Sequence, residues 1–277
     1  MNYRHGFHAG NFADLAKHAA VLGFLRLLKR KDAPLLVVDT HAGAGFYDLS
    51  SPDFARSKEA EAGIGYLMGR DVPASLRALA DYVRAKNAAA GFRDRIGIYP
   101  GSPMLVLDHQ RAGDDYVGAE LRDDDFRLLR DRIEPRGQAV QEDGYDVAVE
   151  AANDDKDLFY LIDPPFEKVD DYARIVASVR DVLALRPDAH FLIWLPLKDL
   201  ETFDSFLRGL EAMAPPAALA VETRLSPLTD PMRMNGCALV ILNPPPGLEA
   251  PLKSIADWVV ANAGGPGGLA KLWKLNG

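Results

Sequence analysis

Four short apolar runs constrain this chain's fold more than any other feature: LLVVD (35–39), YVGAEL (116–121), LFYLID (158–163) and HFLIWL (190–195). Segments of helical period lie around and between them, over 103–111, 123–134, 144–151, 170–185 and 199–213. Apolar runs without alternation are buried on both faces, and runs of that kind interleaved with helices build parallel sheets. A further short strand, QAVQED (138–143), sits in the same alternation. AALAVETRL (217–225) and CALVILN (237–243) read as a closing antiparallel pair before a last helix. The expectation is an α/β fold: a mostly parallel, seven-stranded sheet with helices on both faces.

Ahead of the first strand, Asn11 and the periodic Leu15, Ala19, Leu22 and Leu25 mark a capped helix over about 12–31. Residues 1–31 therefore form an N-terminal tail and helix. Residues 50–97 interrupt the alternation with Ala- and Arg-rich sequence, helical over 74–89, and are expected to form an inserted helical lobe. Arg70, Arg77 and Arg84 recur there every seven residues and are expected near one face. The whole of 1–277 is taken as a single domain carrying these two additions.

Net charge is −8, but it is unevenly spread. Residues 1–31 carry +5, residues 69–100 carry +3 and residues 108–157 carry −9. A basic N-terminus on an acidic body fits a protein that meets phosphate on one face, although solvated helix faces account for the same charges. The one cysteine, Cys237, excludes an internal disulfide and a cysteine-rich metal cluster. No apolar run approaches the ~18 residues a membrane helix needs. Nor is there an apolar h-region near the N-terminus, so a cytoplasmic protein without membrane contact is expected.

Ligands of open α/β sheets bind beyond the carboxyl ends of the strands. The first such end is Asp39 with HAGAG, where Gly43 and Gly45 allow close backbone approach. A dinucleotide fingerprint would need a third glycine, and Asp48 stands there instead. The second end is Glu120, placed to accept hydrogen bonds from a ribose diol, and the third is Asp143-Gly144.

The fourth end, LIDPPF (161–166), carries the sharpest chemistry. Two prolines fix the backbone and remove two donors, leaving the Asp163 carboxylate and the Pro164 carbonyl as rigid acceptors. Such a pair accepts both hydrogens of an exocyclic amine while Phe166, expected to be exposed at this turn, stacks on its ring. Accepting both hydrogens localises the nitrogen lone pair, which can then attack a strong electrophile such as a sulfonium methyl. LNPPP (242–246) also ends a strand in Asn and prolines but lacks the aromatic, and it reads as a turn.

With these ends in this order, the chain resembles class I S-adenosylmethionine (AdoMet)-dependent methyltransferases acting on amino nitrogens, whose fold is Rossmann-like. YRHGFHAGNFADLAKH, DTHAGAG, YPGSP and DPPF together resemble the RlmJ family, which methylates adenine N6 in bacterial 23S ribosomal RNA, at position 2030. The resemblance implies AdoMet as cofactor and 23S rRNA as partner; apart from it, a monomer without a metal is expected. It implies cofactor contacts from His18, His41, Ser102, Glu120, Asp143, Gly144 and Asp163, to which the glycine loop adds Gly43 and Gly45. Tyr3, His5 and Lys17 are implied on the RNA side, and Asp163, Pro164 and Phe166 in catalysis. Phe166 stands where many relatives have tyrosine, which keeps the stacking and loses a hydroxyl.

Two other classes compete with this expectation. One is a different amino-nitrogen methyltransferase, acting on DNA adenine or protein glutamine; no separate DNA-reading segment is evident. The other is a binding module that retains only the fold, against which both the acid and the aromatic of the fourth strand end are present. His5, His8 and His18 do not form a metal site, since Asp14 is the one further ligand nearby. Asp14 and His18 are i, i+4 neighbours, so the carboxylate is expected to orient the imidazole as readily as to bind a metal. Tyr3, His5 and Lys17 are expected to act as a lid over the base and its phosphate.

Overall fold

The computed structural model describes residues 9–51, 60–213, 215, 217–230 and 234–275. Tyr3 and His5, with the rest of the first eight residues, lie outside them. Asn11 caps α1 (Phe12–Leu28), its side-chain oxygen accepting from the Ala13 and Asp14 N–H groups. The chain then forms β1 (Leu35–Asp39), a small pair β2 (Phe46–Asp48) and β3 (Ile98–Pro100), and between them α2 (Ile64–Gly69) and α3 (Ala74–Ala89). Next come α4 (Ser102–Leu107), β4 (Asp115–Ala119), α5 (Asp123–Ile133), β5 (Gln138–Val140) and α6 (Gly144–Ala151). β6 (Asp157–Ile162), α7 (Asp171–Leu185), β7 (His190–Leu197) and α8 (Leu200–Glu211) follow. β8 (Ala218–Arg224), β9 (Gly236–Leu242), α9 (Glu249–Ala263) and β10 (Leu269–Leu275) close the chain.

The main sheet has the order β10-β8-β9-β7-β6-β1-β4-β5. β5, β4, β1, β6 and β7 run parallel, and β9, β8 and β10 are antiparallel. Among the described residues it therefore holds eight strands rather than the seven expected. The additional strand is β10, LAKLWKL, which follows the last helix and pairs along β8. Its lysines and its position at the sheet's edge keep it half exposed, so it lacks the continuous apolar signature of the inner strands.

Alternate residues of the inner strands face opposite layers. Leu36, Val38, Tyr160, Ile162 and Ile193 pack with α6, α7 and α8 through Tyr145, Ile175, Val179 and Phe206. Leu35, Val37, Phe159 and Leu161 pack with α1, α4, α5 and α9 through Phe24, Val106, Ile133 and Leu252. α3 lies against α1 and α9, where Leu76, Leu79 and Val83 join Leu15, Leu22 and Ile255. Arg70, Arg77 and Arg84 do not share one helix: Arg70 ends α2, and Pro73 caps α3. Arg70 donates to Asn262 Oδ1 at 2.6 Å, fastening this segment to α9.

β7 outruns its neighbour. β6 pairs with it only as far as Ile162↔Ile193, and Trp194–Leu197 continue against β9 alone. The Asn243 turn belongs to the opposite edge, because Leu242 pairs with Phe191 at the start of β7. There the Asn243 amide donates to the Pro187 and Ala189 carbonyls at 2.9 and 2.8 Å, so LNPPP is a fastening away from the strand ends of interest. Among the described residues no helix is long and apolar enough to cross a membrane.

Candidate active site

The carboxyl ends of β1, β4, β5 and β6 meet at one cavity of about 1050 Å³, open to solvent on one side. Sheet hydrogen bonding carries over into its walls. The Thr40 N–H donates to the Leu161 carbonyl at 3.0 Å and the Ala42 N–H to Ala119 at 2.9 Å, locking the β1 loop to the ends of β6 and β4. His18, His41, Gly43, Ser102, Glu120, Asp143, Gly144 and Asp163 all line this cavity.

Two glycines are required by what surrounds them. Gly43 sits at φ 63°, and a Cβ there would collide with the Tyr47 hydroxyl. At Gly144, the first residue of α6, a Cβ would overlap the Thr40 carbonyl, so only glycine lets the helix start this close to β1. Gly45 stands apart from the other predicted positions. It does not line the cavity, and its carbonyl accepts the Gly101 N–H at 2.9 Å, tying the loop to the entry of α4.

The cavity's polar groups are held in place from behind. Glu120 accepts the Gly43 N–H at 3.1 Å on Oε2 and the Arg122 N–H at 2.8 Å on Oε1; burial raises its carboxyl above the ordinary value. Asp143 caps α6 and takes the Arg174 guanidinium at 2.6 Å. Burial opposes its ionisation, but that guanidinium and the Tyr145 N–H outweigh it and hold the carboxyl below its usual range. Ser102 donates to Asp39 at 2.6 Å, with the Tyr116 hydroxyl on the same oxygen at 3.1 Å. Burial pushes the Asp39 carboxyl up to about 6. His18 Nδ1 lies 2.7 Å from the Tyr99 hydroxyl. Asp14, expected to orient that ring, is 3.9 Å from it; it accepts the Gly10 N–H at 2.8 Å and pairs with Lys17.

Burial pushes the His41 imidazole down to about 4, against an unfolded value near 6.5. As pH falls from 6.5 towards 4, the unfolded chain takes up a proton that folded His41 refuses, so this residue withdraws stability on acidification. Asp39 acts in the opposite direction, because its folded carboxyl protonates before its unfolded one. His41→Gln is therefore expected to lose less thermal stability than the parent chain between pH 7 and pH 5. Melting curves at the two values check this, and equal losses would refute it.

A second cavity, of about 840 Å³, adjoins the first, and both are lined by Lys17, Asp163 and Pro165. Its own walls include Asn11 and Ala13 from the start of α1, Pro164 and Phe166, and Trp194 and Pro196 from the overhang of β7. Lys17 lies at the joint rather than in an outward-facing position. Its ammonium donates to Asp163 Oδ2 and pairs with Asp14 at 2.9 Å, with only 5% of the side chain exposed. Burial alone would lower its pKa; Asp14 and Asp163 more than offset this and hold it well above the ordinary lysine value.

Phe166 is half-buried, not the exposed ring that the sequence suggests. It adopts φ 50°, a left-handed conformation that costs a non-glycine residue about 1–3 kcal/mol. Its ring packs against Tyr172 at 4.9 Å and Trp194 at 5.9 Å between centroids. Trp194 is a site residue that sequence reasoning missed: inside HFLIWL it looks like core, and only the overhang of β7 brings it to the cavity. Arg122, Lys168 and Arg174 line the first cavity and carried no signal at all.

The two cavities differ in charge. Among the described residues seven carboxylates and four cationic side chains line the first, while the second balances Asp14 and Asp163 against Lys17 and Lys198. Among the described residues no group of three or more His, Cys, Asp or Glu side chains is arranged to hold a metal ion.

The family described as Ribosomal RNA large subunit methyltransferase D, RlmJ, matches residues 32–275. Ribosomal RNA large subunit methyltransferase J of Escherichia coli strain K12 is 31% identical over 263 residues, 94% of this chain and 92% of that protein. The protein of the same name from Haemophilus influenzae is 30% identical over the same shares. Among solved structures, protein LPL1258 from Legionella pneumophila str. Philadelphia 1 superposes with a TM-score of 0.88. That superposition covers 97% of this chain and 99% of the other at 23% identity, a likeness of fold alone.

Proposed function

The chain belongs to the RlmJ family of ribosomal RNA large subunit methyltransferases, and from that premise we propose that it methylates the N6 amino group of an adenine in 23S rRNA, its acidic cavity holding AdoMet and its second cavity the base. The observation that carries this assignment is the meeting of two chemically different cavities at Asp163. The target is position 2030 in the family's rRNA numbering, and modification takes place in the cytoplasm.

The residues of the first cavity fit AdoMet. Its excess of carboxylates suits a ligand that carries a sulfonium and an ammonium, and Gly43 and Gly144, whose Cβ positions the Tyr47 hydroxyl and the Thr40 carbonyl take up, let the cavity's loops pack closely around it. Glu120, presented by two backbone N–H groups, is the acceptor for the ribose diol. Asp143 and Gly144 border the adenine end, and His18, His41 and Ser102 complete the walls. AdoMet, when bound, supplies a methyl group activated by its sulfonium.

The protein's own contribution is placement. An adenine leaves its stack at a cost of a few kcal/mol, and aromatic contact with Phe166 and Trp194, worth roughly 1–3 kcal/mol, offsets much of that. Lys17 occupies Asp163 Oδ2, which leaves Oδ1 and the Pro164 carbonyl as acceptors for the two amino hydrogens. Lone-pair localisation and a held attack geometry then replace a chance encounter. The surplus proton on nitrogen passes to Asp163 Oδ1.

The test is tritiated methyl transfer from AdoMet to unmodified 23S rRNA transcript, DNA and protein in parallel, followed by digestion to nucleosides. Label is expected only in the rRNA, recovered as N6-methyladenosine. Label confined to DNA or protein, or another methylated nucleoside, would overturn the assignment.

A further inference from the structure

The overhang of β7 brings one more polar residue to the second cavity. Asp163 is level with Trp194 in the strand register, and Lys198 follows four positions later, just past the last residue of the strand. Four residues of strand span roughly 13 Å, so Asp163 marks the inner end of the cavity and Lys198 its mouth. Both line it, and Lys198 is exposed.

Among the described residues three of the site's other four cations are committed to carboxylates, the exception being Lys168, exposed on the first cavity. Lys17 pairs with Asp14 and Asp163, Arg122 with Asp125, and Arg174 with Asp143. Among the described residues Lys198 has no such partner, although the chain as a whole carries a charge of −8. It is also the residue that brings the charge of the second cavity's walls to balance; without it they would be net negative. An unpaired ammonium at the mouth of a neutral cavity, in an acidic protein, marks where a polyanion is admitted.

A nucleotide inserted base-first, with its amino group at the inner end, leaves its ribose and phosphates at the mouth. We infer that Lys198 binds a backbone phosphate beside the flipped adenine, fixing the strand's position over the cavity. The inference rests on the proposed function and adds a substrate-binding residue to it. Lys198 touches none of the reacting atoms in this arrangement, so its loss acts on RNA capture and not on the chemical step.

The experiment uses the full chain and unmodified 23S rRNA transcript, with methyl transfer measured at several salt concentrations. In Lys198→Ala, KM for the transcript is expected to rise about tenfold while kcat stays within about twofold. The slope of log affinity against log salt should fall by about one, the signature of one lost phosphate contact. Lys198→Arg should restore both quantities. AdoMet affinity, measured by calorimetry, should match the parent in both variants and also reports that they fold. Unchanged KM and salt slope in Lys198→Ala, with the parent methylating the transcript, would overturn the inference alone. A parent chain that leaves the transcript unmethylated would remove the proposed function and this inference with it.

Discussion

Replacing Asp163 with alanine is expected to lower kcat for rRNA methylation by roughly 10³-fold, the order seen when a positioned acceptor or proton-transfer group is lost. Among the described residues Asp163 is the only carboxylate that lines both cavities, and the Lys17 ammonium fixes it from behind. Without it the amino group loses one of two acceptors, and its lone pair stays delocalised into the ring. AdoMet affinity should change less than tenfold, under about 1.4 kcal/mol, because Glu120, Asp143 and the loops at Gly43 and Gly144 are untouched. Single-turnover methylation with calorimetry on the same preparation separates the two effects. Near-parental turnover, or loss of AdoMet binding in step with turnover, would contradict the assigned role.

Lys17→Met is expected to have the second largest effect, on both stability and rate. Its ammonium lies between Asp14 and Asp163 with almost no access to water. Removing one member of a buried ion pair costs about 3–5 kcal/mol, because the remaining charges stay behind uncompensated. Lys17 titrates above the ordinary lysine value when folded, so its contribution is complete at pH 7 and is lost only as pH rises through that folded value. The stability deficit of Lys17→Met should therefore be present in full at neutral pH. Turnover should fall about 10²-fold, because Asp163 loses the cation that holds its Oδ2 in place. Denaturant unfolding and single-turnover methylation check these. Parental turnover in folded Lys17→Met would mean that Lys17 serves stability alone.

These two residues also show what the sequence made legible. Asp163 was readable because it ends an apolar run and precedes two prolines, a local pattern that fixes both its place on the sheet and its surroundings. Glu120, Asp143 and the Gly43 turn were readable on the same grounds, since a parallel sheet carries its strand ends to one edge. Lys17 was visible as a residue of the N-terminal block, but its partner is 146 residues away, and no local pattern encodes such a contact. It was expected near a phosphate and lies instead in a buried pair.

Phe166 was misjudged in exposure because its left-handed backbone turns the ring back onto Tyr172 and Trp194. Gly45 was grouped with Gly43 by spacing alone, whereas their neighbours assign them different work. β10 was missed because an edge strand with lysines lacks the pattern by which inner strands are recognised. Trp194 and Lys198 depend on how far β7 runs beyond β6, a quantity set by pairing and not by composition.

The claim that one carboxylate joins two separate sites is tested most directly by a crystal structure of the full chain with a bisubstrate analogue, an AdoMet-like moiety linked to the N6 atom of adenosine. The cofactor half is expected against Glu120 and Asp143. The linked adenine is expected against Phe166 and Trp194, with its N6 atom within hydrogen-bonding distance of Asp163 Oδ1 and the Pro164 carbonyl. An analogue bound with its target adenine outside the cavity of Phe166 and Trp194, or with N6 turned away from Asp163, would contradict it.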